Sequence, residues 1–125
     1  MPDYDPILFS PPAPVANISL FNPGNGLTQP DIPMLLDTGA DITLIPQFSV
    51  DNLKIDWSTA QEFELTGFDD HKSMSRAVHL HLIFGGTTFR GEFPVIDQEY
   101  GIVGRNILNL CRIEFDGQRL FWELL

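Results

Sequence analysis

Residues 35–41 read Leu35-Leu36-Asp37-Thr38-Gly39-Ala40-Asp41, a polar turn sequence between two apolar segments. Residues 34–36 are typical of the end of a β-strand, and residues 42–45 resume a β-branched apolar strand that Pro46 ends. A capped turn without chemistry is one interpretation, because Asp, Thr and Gly are common turn residues. The flanking strands favour the other interpretation, in which the turn presents the Asp37 carboxylate for catalysis.

A second motif occurs near the C-terminus. Residues 101–108 read Gly101-Ile102-Val103-Gly104-Arg105-Asn106-Ile107-Leu108, which predicts a strand, a glycine and a short helix. Together the two motifs resemble the retropepsins, the family of retroviral proteases and their cellular and bacterial relatives. In that family an apolar pair followed by Gly-Arg-Asp/Asn lies behind the active-site loop and opens the only helix. The resemblance runs from about Asn17 to the C-terminus.

The resemblance implies the fold and the oligomeric state. It indicates an all-β, single-domain acid-protease barrel with one short helix. Aspartic peptidase chemistry uses two carboxylates that face each other across one water, yet the sequence has one Asp-Thr-Gly, no Asp-Ser-Gly and no internal repeat. The second carboxylate is therefore expected from another copy of the chain, in a homodimer with C2 symmetry.

Composition limits the classes of function. The chain has 125 residues, 43% of them apolar, which suits one soluble domain with a core and no membrane span. Seventeen acidic and seven basic residues give a formal charge of −10, which argues against binding to nucleic acid or to an anionic membrane. The single Cys111 excludes an intrachain disulfide, and no signal peptide is apparent, so we expect a cytoplasmic protein.

The N-terminal residues differ from the rest. Residues 1–16 are rich in proline and lack periodicity, so they predict an extended arm, followed by the retropepsin-like domain at residues 17–125. The segment Ile7-Leu8-Phe9-Ser10-Pro11 is apolar enough to enter a cleft, and self-cleavage there is one hypothesis.

Short apolar segments separated by turn residues predict many strands after residue 16. Gly85-Gly86 predicts a two-residue hairpin loop, because both positions of a type I′ turn need a positive φ, and Asp116-Gly117 gives the same signal. The predicted strands are residues 17–22, 33–36, 42–45, 62–68, 75–84, 87–95, 100–103, 111–115 and 120–124.

The sequence predicts a function for two hairpins. Residues 62–78 contain an alternating strand, a polar tip and a return strand, and we predict a flap that closes over the catalytic site; an ordinary surface hairpin is the alternative. Residues 111–125 form the second hairpin, in which Ile113 and Phe115 alternate with charged residues. Its apolar face is predicted to be core or dimer interface.

The resemblance assigns the catalytic residues to Asp37, Thr38 and Gly39. Two Asp37 carboxylates a few ångströms apart cannot both ionise easily, so the pair shares one proton; one carboxylate acts as base and the other as acid. The two Thr38 hydroxyls are expected to grip the opposite loop. Gly39 lacks a Cβ, so its N–H can approach the carboxylate.

Further residues support or line this site. Ala40 is expected to line the cleft. Asp41 is expected to pair with Arg105, with contact to the substrate backbone as an alternative, and Asn106 supports the loop with Arg105. The predicted substrate-binding residues, in addition to Ala40 and Asp41, are Leu65, Gly67, Phe68, Tyr100 and Ile102.

A metal site has little support in the sequence. His79 and His81 lie two residues apart, so they share one face of a strand, but a third ligand is missing. They are predicted to face solvent, while Val78, Leu80 and Leu82 occupy the other face. We expect no metal and no cofactor.

The leading function is an aspartic endopeptidase that hydrolyses peptide bonds between two Asp37 carboxylates and prefers apolar residues around the scissile bond. Its partners are a second copy of the chain and a polypeptide substrate. One alternative is a catalytically silent dimer of the same fold that binds a peptide or serves as a scaffold. Another is a selective processing enzyme with one partner protein as substrate.

Overall fold

The computed structural model describes residues 2–66 and 72–125. No helix in these residues is long and apolar enough to cross a membrane. The helical segments are α1 (Gln47–Asp51), α2 (Arg105–Leu108) and a 3₁₀-helix (Trp57–Thr59). The strands are β1 (Val15–Phe21), β2 (Thr28–Leu36), β3 (Ile45–Pro46), β4 (Gln61–Thr66), β5 (Lys72–Phe84), β6 (Thr87–Ile96), β7 (Gly101–Val103), β8 (Ile113–Asp116) and β9 (Phe121–Leu124).

In the part of the chain that the structure describes, seven strands form one sheet. Its successive neighbours are β3, β6, β5, β1, β2 and β7, and β4 pairs with β5. The pairs β2–β7 and β3–β6 are parallel, and the other pairs in the sheet are antiparallel. Strands β8 and β9 form a separate hairpin. The predicted all-β fold is confirmed.

Within residues 2–66 and 72–125, two short α-helices occur where the sequence predicted one. The predicted helix is α2, and the additional helix is α1, which follows β3 directly. Pro46 ends β3, and the buried Ser49 hydroxyl donates a 2.6 Å hydrogen bond to the Pro46 carbonyl oxygen. This bond joins the first turn of α1 to the residue that precedes the helix.

The core follows the two-residue period of the strands. In β5, Val78, Leu80 and Leu82 are buried, whereas His79 is exposed and His81 is partly exposed. The predicted placement of the two histidines away from the core is therefore confirmed.

Two predicted turns have different outcomes. Gly85 and Gly86 connect β5 to β6 with φ values of 58° and 82°, as predicted. The predicted two-residue loop at Asp116-Gly117 is wrong, because Asp116 pairs with Phe121 across a four-residue loop. The positive φ of 57° falls on Leu120.

The Asp116 side chain explains the longer loop. One carboxylate oxygen accepts a 3.1 Å hydrogen bond from the Arg119 N–H, and the other lies 3.8 Å from the Arg119 Nε. Asp116 therefore caps the turn through its side chain rather than entering a tight hairpin loop.

Residues 2–16, predicted as an extended arm, lie against the domain. Tyr4 N–H donates to the Leu120 carbonyl oxygen at 2.7 Å, and Trp122 N–H donates to the Pro2 carbonyl oxygen at 3.0 Å. The N-terminal segment thus lies beside β9. Strand β1 begins at Val15, whereas the predicted strand begins at residue 17.

Candidate active site

Asp37 lies where the chain leaves the sheet, directly after β2. Its N–H donates a 3.0 Å hydrogen bond to the Val103 carbonyl oxygen on the parallel strand β7. Its carboxylate accepts a 2.8 Å hydrogen bond from the Gly39 N–H. Asp37 is partly exposed, and Thr38 and Gly39 are exposed. The Gly39 N–H therefore holds one oxygen of the Asp37 carboxylate, while Thr38 and Gly39 stay accessible to solvent.

Strand β7 and helix α2 hold this loop from behind. The Arg105 N–H donates to the Ala40 carbonyl oxygen at 2.8 Å, and the Arg105 guanidinium donates to the Thr38 carbonyl oxygen at 2.7 Å. Leu44 and Ile102 exchange two backbone hydrogen bonds of 2.8 Å each. Residues 37–44 are thus attached to residues 102–105 along their length.

Thr43 adds a buried side-chain link that the sequence interpretation missed. Thr43 is 1% exposed. Its hydroxyl donates to Asn106 Oδ1 at 2.7 Å and accepts from the Gly104 N–H at 3.1 Å. A hydroxyl that both donates and accepts ties the loop to the start of α2. The one signal in the sequence was a polar residue within an otherwise apolar run at residues 42–45.

Residues 42–44 also correct a strand prediction. The predicted strand at residues 42–45 begins only at Ile45. Before that residue, the chain forms the isolated bridge between Leu44 and Ile102. Residues 42–44 are therefore held by the Thr43 hydroxyl contacts and by this bridge, instead of by the regular hydrogen bonds of a β-sheet.

Two glycines permit the close approach of the segments. A Cβ added at Gly104 would lie 2.3 Å from the Ile42 carbonyl oxygen, and one added at Gly101 would lie 2.6 Å from the Leu44 carbonyl oxygen. Any larger residue would push the backbones apart, so this site requires glycine at both positions.

The loop therefore has an aspartate after a parallel strand, braced by a Gly-Arg-Asn segment. A family model described as retroviral aspartyl protease matches residues 12–116, most of the chain. The chain belongs to the retroviral aspartyl protease family. No curated protein matches the chain at a significant level.

The match to the aspartyl protease family ends at Asp116, the last residue of β8. Strand β9 lies beyond it and completes a hairpin with β8. The match begins at residue 12, so it includes part of the segment predicted as an N-terminal arm.

One contact expected from the family resemblance differs in this chain. Asp41 is exposed, and no ion pair within 4.0 Å joins it to Arg105, although the structure describes both residues. The Arg105 guanidinium bonds to the Thr38 carbonyl oxygen instead. The Arg105 side chain thus supports the aspartyl protease loop by bonding to the backbone of that loop.

An apolar face runs along β7 beside the aspartate. Gly101 and Val103 are buried, whereas Tyr100 and Ile102 are partly exposed, as expected for alternating residues. Ile102 pairs with Leu35, which is also partly exposed. Leu35 was not predicted as a site residue, although its position two residues before Asp37 places it on this face.

The hairpin predicted at residues 62–78 is present as β4 and β5, and its role as a flap stays a prediction. The pairing runs from Gln61 opposite Ala77 to Thr66 opposite Lys72. Leu65 lies on β4 and is partly exposed. The predicted site residues Gly67 and Phe68, and the polar tip up to residue 71, lie outside the described residues.

Two groups away from the loop have shifted pKa values. Burial raises the pKa of the Cys111 thiol, which also contacts the Ile107 carbonyl oxygen at 3.5 Å. Hydrogen bonds from Ser58 lower the pKa of Asp56.

Across residues 2–66 and 72–125, no three His, Cys, Asp or Glu side chains are arranged as a metal site would require.

Proposed function

We propose that the protein is an aspartic endopeptidase in which two copies of the chain each supply one Asp37 carboxylate. The observation that carries this proposal is the braced Asp37 loop in a chain of the retroviral aspartyl protease family. The backbone bonds to Val103 and Arg105 hold the loop in one conformation. Such preorganisation is what a catalytic carboxylate needs.

The need for a second copy follows from the chemistry. The sequence contains one Asp-Thr-Gly, and a water-activating pair needs two carboxylates. Thr38 and Gly39 are exposed in the single chain and are therefore available to the same loop of a partner. A C2 axis beside Asp37 would bring identical groups together.

The C-terminal hairpin is the proposed interface. Phe115, Leu120 and Leu125 are between 40% and 63% exposed, which leaves apolar surface on or beside β8 and β9. Covering this surface with a second copy would remove it from water and stabilise the dimer.

The proposed reaction begins with two Asp37 carboxylates that share one proton. The ionised member removes a proton from the bound water as the water attacks the peptide carbonyl. The protonated member donates its proton to the developing oxyanion. The carboxyl that received the water proton then donates that proton to the leaving nitrogen, and the other carboxylate takes back a proton from the diol as the C–N bond breaks. The Gly39 N–H bond to the carboxylate orients the oxygen, and Thr38 is expected to contact the partner loop.

The substrate is proposed to be an extended polypeptide with apolar side chains near the scissile bond. Leu35, Tyr100 and Ile102 present partly exposed apolar surface beside Asp37. The hairpin of β4 and β5 is proposed to close over the bound peptide, which would exclude water from the carboxylates. A cytoplasmic location stays a prediction.

The test is cleavage of a peptide library made from denatured proteins, between pH 4 and 8, with products identified by mass spectrometry. Wild type is compared with Asp37→Asn, which removes the shared proton but little volume. Asp97→Asn is the matched control, because Asp97 is exposed and lies outside the proposed site. Sedimentation equilibrium establishes the dimer for each protein.

We expect wild type and Asp97→Asn to cut between apolar residues, and Asp37→Asn to be inactive but dimeric. Cleavage that survives in pure Asp37→Asn refutes the mechanism. A confirmed wild-type dimer that cuts nothing points to the peptide-binding alternative.

A further inference from the structure

The ring of Phe9 lies against the ring of Tyr100. Their centroids are 4.7 Å apart, and the ring planes meet at 61°. This edge-to-face geometry is one that aromatic pairs prefer. Both residues are partly buried and partly exposed, so the pair has a surface open to a ligand.

Phe9 belongs to a closed loop of residues 5–13, which we call the Phe9 loop. Asp5 and Ala13 close its neck with two backbone hydrogen bonds of 2.7 and 3.3 Å. The Asp5 carboxylate accepts hydrogen bonds of 2.8 and 2.9 Å from the N–H groups of Ile7 and Leu8. These bonds give the loop a defined shape and fix the position from which Phe9 reaches Tyr100.

Tyr100 places this pair beside the proposed cleft. It directly precedes β7, two residues before Ile102, and it is partly exposed like Ile102 and its strand partner Leu35. Asp37 leaves the sheet beside Val103, three residues further along. Since a strand rises about 3.3 Å per residue, Tyr100 lies roughly 10 Å from that point, or about three residues of an extended peptide.

We propose that Phe9 is a specificity-determining residue, which forms with Tyr100 an aromatic wall for a substrate side chain within about three residues of the scissile bond. This inference rests on the proposed peptidase function. Phe9 comes from a segment more than 80 residues before Tyr100 in the sequence, and the ring contact makes it part of the same surface. The favoured substrate side chain is aromatic, because edge and face contacts to both rings are then available.

The test measures kcat and KM for two peptides that share one Asp37-dependent cleavage site. One peptide carries Phe, and the other Ala, at the position that the library shows to prefer aromatic residues. The variants are Phe9→Ala, Phe9→Leu and, as the matched control from the same loop, Ile7→Ala. Ile7 is 92% exposed, so its removal leaves the Phe9–Tyr100 contact in place.

We expect Phe9→Ala to raise KM for the Phe peptide by roughly two- to tenfold, the range of an aromatic pair, with little change in kcat. KM for the Ala peptide should stay within about twofold, and Ile7→Ala should match wild type. Phe9→Leu keeps apolar bulk without the ring and tests the aromatic contact if Phe9→Ala unfolds. Thermal unfolding of each variant identifies a folding defect.

Three results overturn the inference. An equal change in KM for both peptides means that Phe9 does not recognise the side chain. Faster cleavage of both peptides by Phe9→Ala means that the Phe9 loop obstructs the cleft. If wild type shows no cleavage that depends on Asp37, the proposed function itself is overturned. The comparison of wild type with Asp37→Asn gives this result before any Phe9 variant is measured.

Discussion

The guanidinium of Arg105 donates a 2.7 Å hydrogen bond to the carbonyl oxygen of Thr38, the residue after the proposed catalytic aspartate. The Arg105 N–H also donates to the Ala40 carbonyl oxygen at 2.8 Å. One residue of α2 therefore holds the loop at two points, one of which depends on the side chain.

Arg105→Ala should lower kcat/KM by about tenfold or more, because a hydrogen bond from a charged group that positions the loop is lost. The dimer should also dissociate more readily, since Thr38 is proposed to meet the partner loop. Arg90→Ala is the control, because the Arg90 side chain is exposed and lies on β6, outside both the Asp37 loop and the C-terminal hairpin. Equal kcat/KM in the two variants would contradict the role of Arg105.

Thr43→Val should lower the free energy of unfolding by about 1–3 kcal/mol. The change keeps the shape of the side chain but leaves the buried Gly104 N–H and the Asn106 Oδ1 without their shared partner. Urea unfolding measures the effect. Thr88→Val, at an exposed position on β6, should change stability by less than about 0.5 kcal/mol. A difference below that amount between the two variants would show that the Thr43 hydroxyl contributes little.

Gly104→Ala should be among the most destabilising single changes in the chain, at roughly 3 kcal/mol or more. The new methyl group would lie 2.3 Å from the Ile42 carbonyl oxygen, so the loop must move away from α2. Gly117→Ala adds the same methyl group where nothing lies within 4 Å, and it should be nearly neutral. Thermal unfolding compares the two, and a Gly104→Ala protein as stable as Gly117→Ala would mean that the segments separate without cost.

The closed Phe9 loop should protect the N-terminal segment from self-cleavage. A peptidase cleft binds extended chain, and the Asp5 carboxylate holds residues 7 and 8 in a turn. Intact mass after prolonged incubation should show whole wild type and gradual trimming of Asp5→Ala. Asp5→Asn keeps an acceptor oxygen and should stay whole. The double variant Asp5→Ala/Asp37→Asn should also stay whole. Trimming of wild type at the same rate as Asp5→Ala would disprove the protection.

Much of the fold could be predicted from the sequence because strand patterns are local. The alternation of Val78, Leu80 and Leu82 with two histidines fixes the buried face of β5. Paired glycines at residues 85 and 86 predict their own turn. The Asp37 loop and the segment behind it were also predicted, since each carries its motif in consecutive residues.

What could not be predicted depends on contacts between distant segments. The Thr43 hydroxyl meets Asn106 only because two glycines let the loop approach α2. Arg105 bonds to a carbonyl rather than to Asp41, a choice that residue types do not reveal. The turn at Asp116 depends on a side-chain cap, and the packing of residues 2–16 depends on where β9 lies.

The attachment of residues 37–44 to residues 102–106 also determines when the site can form during folding. More than 50 residues separate the two segments. Their contacts therefore close a long loop, and the entropy cost of closing it makes them form late in the folding reaction. A chain emerging from the ribosome has already exposed Asp37 long before its brace has been synthesised. The braced conformation of the Asp37 loop therefore forms only after residues 102–106 have been synthesised and have packed against it.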